Sequence, residues 1–76
     1  MENSNSLVTI MKELFGDSLR DLSYKDISID TVHNWDSLNH LRLMMAIEEE
    51  FNMQLSPDDF QTLTSFTEIK FFLDSN

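Results

Sequence analysis

The hydroxyl of Ser37 is the group best placed in the sequence to do chemistry: Asp36 precedes it, His33 and His40 flank it, and Leu38 opens an apolar stretch. A serine becomes a nucleophile when a neighbouring base takes its proton and a third group orients that base. Either histidine could be the base, but no third member or pocket is apparent, and 76 residues hardly leave room for an oxyanion hole. A self-contained hydrolase is therefore set aside. Read from the residues alone, a serine at a loop-to-helix junction is an N-cap, and Asp36 has the same competence. Two histidines without a third ligand at fixed spacing do not define a metal site, so both are expected at exposed polar positions and no metal is expected. The Asp-rich stretch from Asp17 to Asp30 lacks the glycine and ligand spacing of an EF-hand loop, which excludes calcium sensing.

Composition narrows the classes further. A chain of 76 residues and 8.9 kDa allows one small domain, taken as residues 1–76, and is too short for a conventional enzyme with its own cleft. Function then sits in a single group or on a surface. Apolar residues at 41% and charged residues at 25% are ordinary globular usage, so the chain should fold. Five Lys+Arg against fourteen Asp+Glu give a net charge of -9, which repels nucleic acid and anionic lipid and calls for basic partners. The absence of cysteine excludes disulfides, thiolate catalysis and cysteine zinc sites. No apolar run approaches the roughly 18 residues of a membrane span, and the start of the chain lacks the basic, then apolar, pattern of a secretion signal. A cytoplasmic monomer without membrane association is the expectation.

The elements that must position Ser37 are helical, since one Gly and one Pro cannot serve a sheet of tight hairpins. Leu7, Ile10, Met11, Leu14 and Phe15 follow the spacing of one helical face; Ser4, Asn5 or Ser6 can cap its start, and Gly16 suits its end. From Asp17 to Asp36 no period appears, yet Leu19, Leu22, Tyr24, Ile27, Ile29 and Val32 require this loop to pack on the core. A loop of about 20 residues is uncommon in a compact domain unless it is functional or contains short helical turns. The central helix is predicted over Ser37–Phe51. At 100° per residue Leu38, Leu41, Met44, Met45, Ile47 and Phe51 spread over more than half its circumference, with Asn39, Arg42, Ala46, Glu49 and Glu50 in the remaining sector. Met44, Met45 and Met53 read as adaptable core packing. Ser56-Pro57-Asp58-Asp59 starts a short third helix ending near Gln61 or Thr62, and Ser65-Phe66-Thr67-Glu68 is a capping box opening a fourth, with Phe66, Ile69, Phe72 and Leu73 on one face.

Over nearly its whole length the sequence resembles the acyl carrier proteins and the related peptidyl carriers. The resemblance rests on Asp36-Ser37-Leu38, on Leu41, Leu43, Met44, Met45, Ala46 and Ile47, and on the Glu48-Glu49-Glu50-Phe51 block. It continues through Leu55, Pro57-Asp58-Asp59 and Leu63-Thr64. It implies an all-α, right-handed four-helix bundle with a long first loop and a short third helix, and no catalysis of its own. By the same resemblance Ser37 would be esterified by a phosphopantetheinyl transferase with the 4′-phosphopantetheine arm of coenzyme A, whose thiol holds acyl groups as thioesters. Asp36 would help orient the modifying enzyme's metal and Ser37.

The docking surface implied is the central helix, where acids such as Glu48, Glu49 and Glu50 would meet Arg and Lys patches on acyl-loading, acyl-transferring and synthase enzymes. Acids at a helix C-terminus face the negative end of its dipole, so a functional reason for them is expected. Leu38 and Met45 would form a shallow apolar patch beside the modified serine. Against fatty-acid carriers, Asn34 stands in place of a Gly, where its tolerance of positive φ would preserve the turn, and Trp35 in place of a small residue. Asn39 and Arg42 occupy usually acidic docking positions. The expectation is a specialised carrier rather than a housekeeping one. The alternatives are an aminoacyl or peptidyl carrier of a secondary-metabolite or cell-surface pathway, and an unmodified acidic docking module.

Overall fold

A computed structural model describes residues 2–75, with side chains from Asn5 to Ser75. Four α-helices follow in order: α1 Glu2–Phe15, α2 Ser37–Phe51, α3 Pro57–Thr62 and α4 Phe66–Ser75. Among the described residues there is no strand, and the arrangement is compatible with a bundle of acyl-carrier type. α1 packs on both α2 and α4. Its buried face is the one periodicity predicts: Leu7, Ile10, Met11 and Phe15 are buried and Leu14 is half-buried. These meet Leu43, Met44 and Ile47 of α2 and Phe66, Ile69 and Leu73 of α4 in one core.

The helix ends follow local chemistry. Gly16 takes φ +50, the left-handed conformation that ends α1 at little steric cost. Ser56 and Asp59 form a reciprocal capping box at the start of α3, each side chain accepting from the other's backbone N–H, with Pro57 at the first helical position. At α4 the box is shifted by one residue. Ser65 Oγ accepts from Glu68 N, but the Glu68 carboxylate reaches back to Thr64 N and Thr64 Oγ1 at 3.2 Å as well as to Ser65 Oγ. The start of α1 differs from expectation. The helix already runs from Glu2, so Ser4, Asn5 and Ser6 lie inside it, because nothing in the polar segment before Leu7 breaks it. The Ser4 side chain lies outside the described residues.

The long loop between α1 and α2 contains two 3₁₀ turns, Gly16–Leu19 and Tyr24–Asp26, which resolves its unusual length. It is tied to the α3–α4 connection by an antiparallel bridge, with Ile29 N donating to Thr64 O and Phe66 N to Ile27 O, both at 2.9 Å. Thr31 Oγ1 accepts from Ser28 N and donates to Asp26 O, closing the next turn. Ile27, Val32 and Trp35 are thereby buried. Two apolar loop residues depart from the expected packing: Ile29 stays exposed, and Tyr24, stacked on Phe66 at 4.8 Å between centroids, keeps 55% of its surface in solvent.

A Cβ at Gly16 would touch nothing within 4 Å, so Gly16→Ala brings no clash and its cost is the left-handed backbone strain, offset in part by a less flexible unfolded chain. Its expected cost is about 1–2 kcal/mol, measured as a lower urea midpoint with an unchanged m-value.

Candidate functional site

The approach to α2 divides distinct tasks among residues 34–37, with Asn39 and His40 of the helix tying them down. Asp36 is the N-cap: its backbone is extended, and Oδ1 accepts from Asn39 N at 2.9 Å. Such a cap stabilises a helix by about 1 kcal/mol. Asn39 adds a second tie, its Nδ2 donating to Asn34 O at 2.8 Å, which draws the preceding turn onto the first turn of α2. Asn34 does not use positive φ. Among the described residues that region holds Asp21, Asn52 and Gly16, so the turn survives without the backbone conformation a glycine would favour.

Ser37 is exposed as the first residue of α2, and among the described residues no hydrogen bond engages its Oγ. Because Asp36 performs the capping, the serine hydroxyl is left available. The first turn also leaves the N–H groups of Ser37 and Leu38 without intrahelical acceptors. The site therefore presents a hydroxyl beside backbone donors at the positive end of a helix dipole, a setting that favours an attached phosphate.

Trp35, immediately before the cap, is buried and stacks on Phe15 at 5.1 Å, locking the end of α1 to the start of α2. Its indole Nε1–H donates to His40 Nδ1 at 3.0 Å. An indole nitrogen only donates, so His40 is the Nε2–H tautomer, and its Nε2–H donates to Phe60 O at 2.6 Å. Phe60 O is among the last carbonyls of α3, which lack intrahelical partners. His40 thus joins the loop, α2 and α3. Expected at an exposed position, it is half-buried because both ring nitrogens are engaged inside the fold. His33 remains exposed, and no metal cluster occurs among the described residues.

Along α2 the broad apolar arc separates into two faces. Leu43, Met44 and Ile47 are buried, whereas Leu38 at 57%, Leu41 at 45% and Met45 at 56% exposure point away from the core. At 100° per residue Leu38, Arg42, Met45 and Glu49 fall within about 60° of one another on the side opposite Leu43 and Ile47. Met45 is thus not core packing, while Met44 and Met53 are buried and half-buried. A shallow depression of about 560 Å³ lies along this ridge, lined by Arg42, Met45, Ala46, Glu48 and Glu49.

The three glutamates differ. Glu48 is half-buried, and its Oε2 accepts from Leu55 N at 2.8 Å, pulling the α2–α3 connection against the helix. Glu49 and Glu50 are exposed. The end of α2 is closed by Asn52 at φ 53, with Met53 N donating to Glu48 O. For Glu48 the reason for an acid at a helix C-terminus is therefore structural.

Residues 5–70 match a family model described as phosphopantetheine attachment site. No curated protein and no solved structure matches the chain.

Replacing His40 with Leu keeps similar bulk but strands a buried indole N–H, at an expected cost of about 1–3 kcal/mol. Adding Trp35→Phe removes the stranded donor as well, so in chemical denaturation the double variant should lose less than the sum of the singles; strict additivity would mean the bond contributes nothing.

Proposed function

The chain belongs to the phosphopantetheine attachment site family, whose members are non-catalytic carriers of a 4′-phosphopantetheine group, and from that premise we propose that Ser37 is the attachment residue. The observation that carries the assignment is the division of labour at the start of α2. Asp36 caps the helix, so Ser37 Oγ is free, exposed and next to unpaired backbone N–H groups. A phosphodiester there gains the helix dipole and those donors without displacing a core group. When attached, 4′-phosphopantetheine supplies the thiol that holds an acyl group as a thioester.

The chain's own contribution is presentation. Trp35, His40 and Asn39 hold the turn before Ser37 in place, so a modifying transferase meets a preformed helix start. Asp36, committed through Oδ1 to Asn39 N, keeps its carboxylate on the surface beside Ser37, where it can also face the transferase's metal. Leu38, Arg42, Met45 and Glu49 form the face that acyl-loading and acyl-transferring enzymes touch, and exposed Glu50 lies about 80° farther round the helix, where it adds to the acidic field that draws a basic partner. Glu48 supports that face by holding the α2–α3 turn, and Asn39 by holding the cap. Exposed Arg42 on this face supports service in a specialised pathway rather than docking to housekeeping fatty-acid synthase partners.

Incubation with coenzyme A, magnesium and a broad-specificity phosphopantetheinyl transferase should add one phosphopantetheine to the wild-type chain and none to Ser37→Ala, read by intact-protein mass spectrometry. No gain by the wild type under conditions that modify a control carrier would overturn the assignment.

A further inference from the structure

The outward ridge of α2 carries two opposite charges that the protein does not use internally. Residues three and four away from Arg42 are Leu38, Asn39, Met45 and Ala46, and those around Glu49 are Met45, Ala46, Asn52 and Met53. Neither charge therefore has an opposite partner at the spacings where helical side chains meet. The ion pairs among the described residues are Arg20–Asp17 and Lys70–Asp74, which lie elsewhere. Arg42 is one of five cations in a chain of net charge -9, yet it stands alone between exposed Leu38 and Met45, at the Ser37 end of the depression.

The geometry of this ridge specifies a partner. Seven residues at 1.5 Å rise place Arg42 and Glu49 about 10 Å apart along the axis, with Met45 between them. We propose, resting on the carrier reading, that the cognate partner enzyme docks with a dipolar surface: a carboxylate opposite Arg42, an apolar side chain against Leu38 and Met45, and a Lys or Arg opposite Glu49. A uniformly basic docking surface gains from Glu49 but meets Arg42 with like charge in a partly desolvated contact. The order of charges also sets direction. A partner that pairs both ends can sit on α2 in one sense only, and that sense holds the Ser37 end toward the partner's carboxylate. Arg42 is thus a specificity-determining residue that rejects basic partners as well as attracting the dipolar one.

The test uses a broad-specificity phosphopantetheinyl transferase with a basic carrier-docking surface as the probe, together with a form of it in which one docking Lys or Arg is changed to Glu. Rates are measured with wild type, Arg42→Glu and Glu49→Lys, whose far-UV circular dichroism and melting temperatures confirm folding. With the basic transferase, Arg42→Glu should raise kcat/KM about three- to tenfold, chiefly through KM, and Glu49→Lys should lower it by a similar factor. With the charge-changed transferase, wild type should overtake Arg42→Glu, and near 1 M salt, where the Debye length is about 3 Å, the differences should collapse. If every variant is modified at Ser37 at rates within about twofold, short of the three- to tenfold changes expected here, the dipolar docking idea is overturned while the carrier assignment stands. If none is modified while a control carrier is, both fall.

Discussion

Burying the Trp35 indole creates an obligation, because its N–H can only donate and must find an acceptor away from water. The acceptor is His40 Nδ1, and satisfying it determines the tautomer that lets His40 Nε2–H reach Phe60 O. One side chain thereby links the loop before the candidate site, the first turn of α2 and the end of α3. Phe15 supplies the remaining anchor by stacking on the same indole. The position of Ser37 depends on these contacts more than on any made by Ser37 itself. The junction leaves the Ser37 hydroxyl in solvent while holding its backbone, by placing the restraints at 35, 36, 39 and 40.

The same separation of supporting and presenting residues runs along α2. Its inner face, Leu43, Met44 and Ile47, fixes the helix against α1 and the rest of the core. Its outer ridge is left exposed, apolar at Leu38 and Met45 and charged at Arg42 and Glu49. Glu48, between the two, is spent on Leu55 N. Three consecutive glutamates in the sequence are thus one structural brace and two surface acids. That difference separates an acid that braces the fold from acids that lie free on its surface.

Much of this was legible in the sequence because it is local. The α1 face, the bounds of α2 and α3, the role of Gly16 and the cap at Ser56 each follow from spacing or residue type within a few positions. Periodicity did not show the α2 ridge, since both Met44 and Met45 are apolar and spacing alone cannot tell which of two apolar sectors meets the core; only the family resemblance pointed to Leu38 and Met45 as a surface patch. Nor could the junction be read, because Asp36 and Ser37 are both competent caps and only backbone placement shows which one acts. The His40 bridge spans 20 residues to Phe60 and terminates on a backbone carbonyl, which no side-chain pattern reports. A signal existed nonetheless: a tryptophan just before a helix start needs an acceptor, and His40 is the nearest following side chain with an imidazole.

If the junction is preformed, attaching the arm should leave it undisturbed. Amide spectra of the ¹⁵N-labelled chain before and after modification would show this directly. Shifts confined to Ser37 and its neighbours through His40, with the Trp35 indole N–H still bonded to a His40 imidazole protonated at Nε2, are the expected result. A modification that shifts another serine instead, or one that frees the Trp35 indole and displaces α3, would contradict the view that this junction holds and presents Ser37.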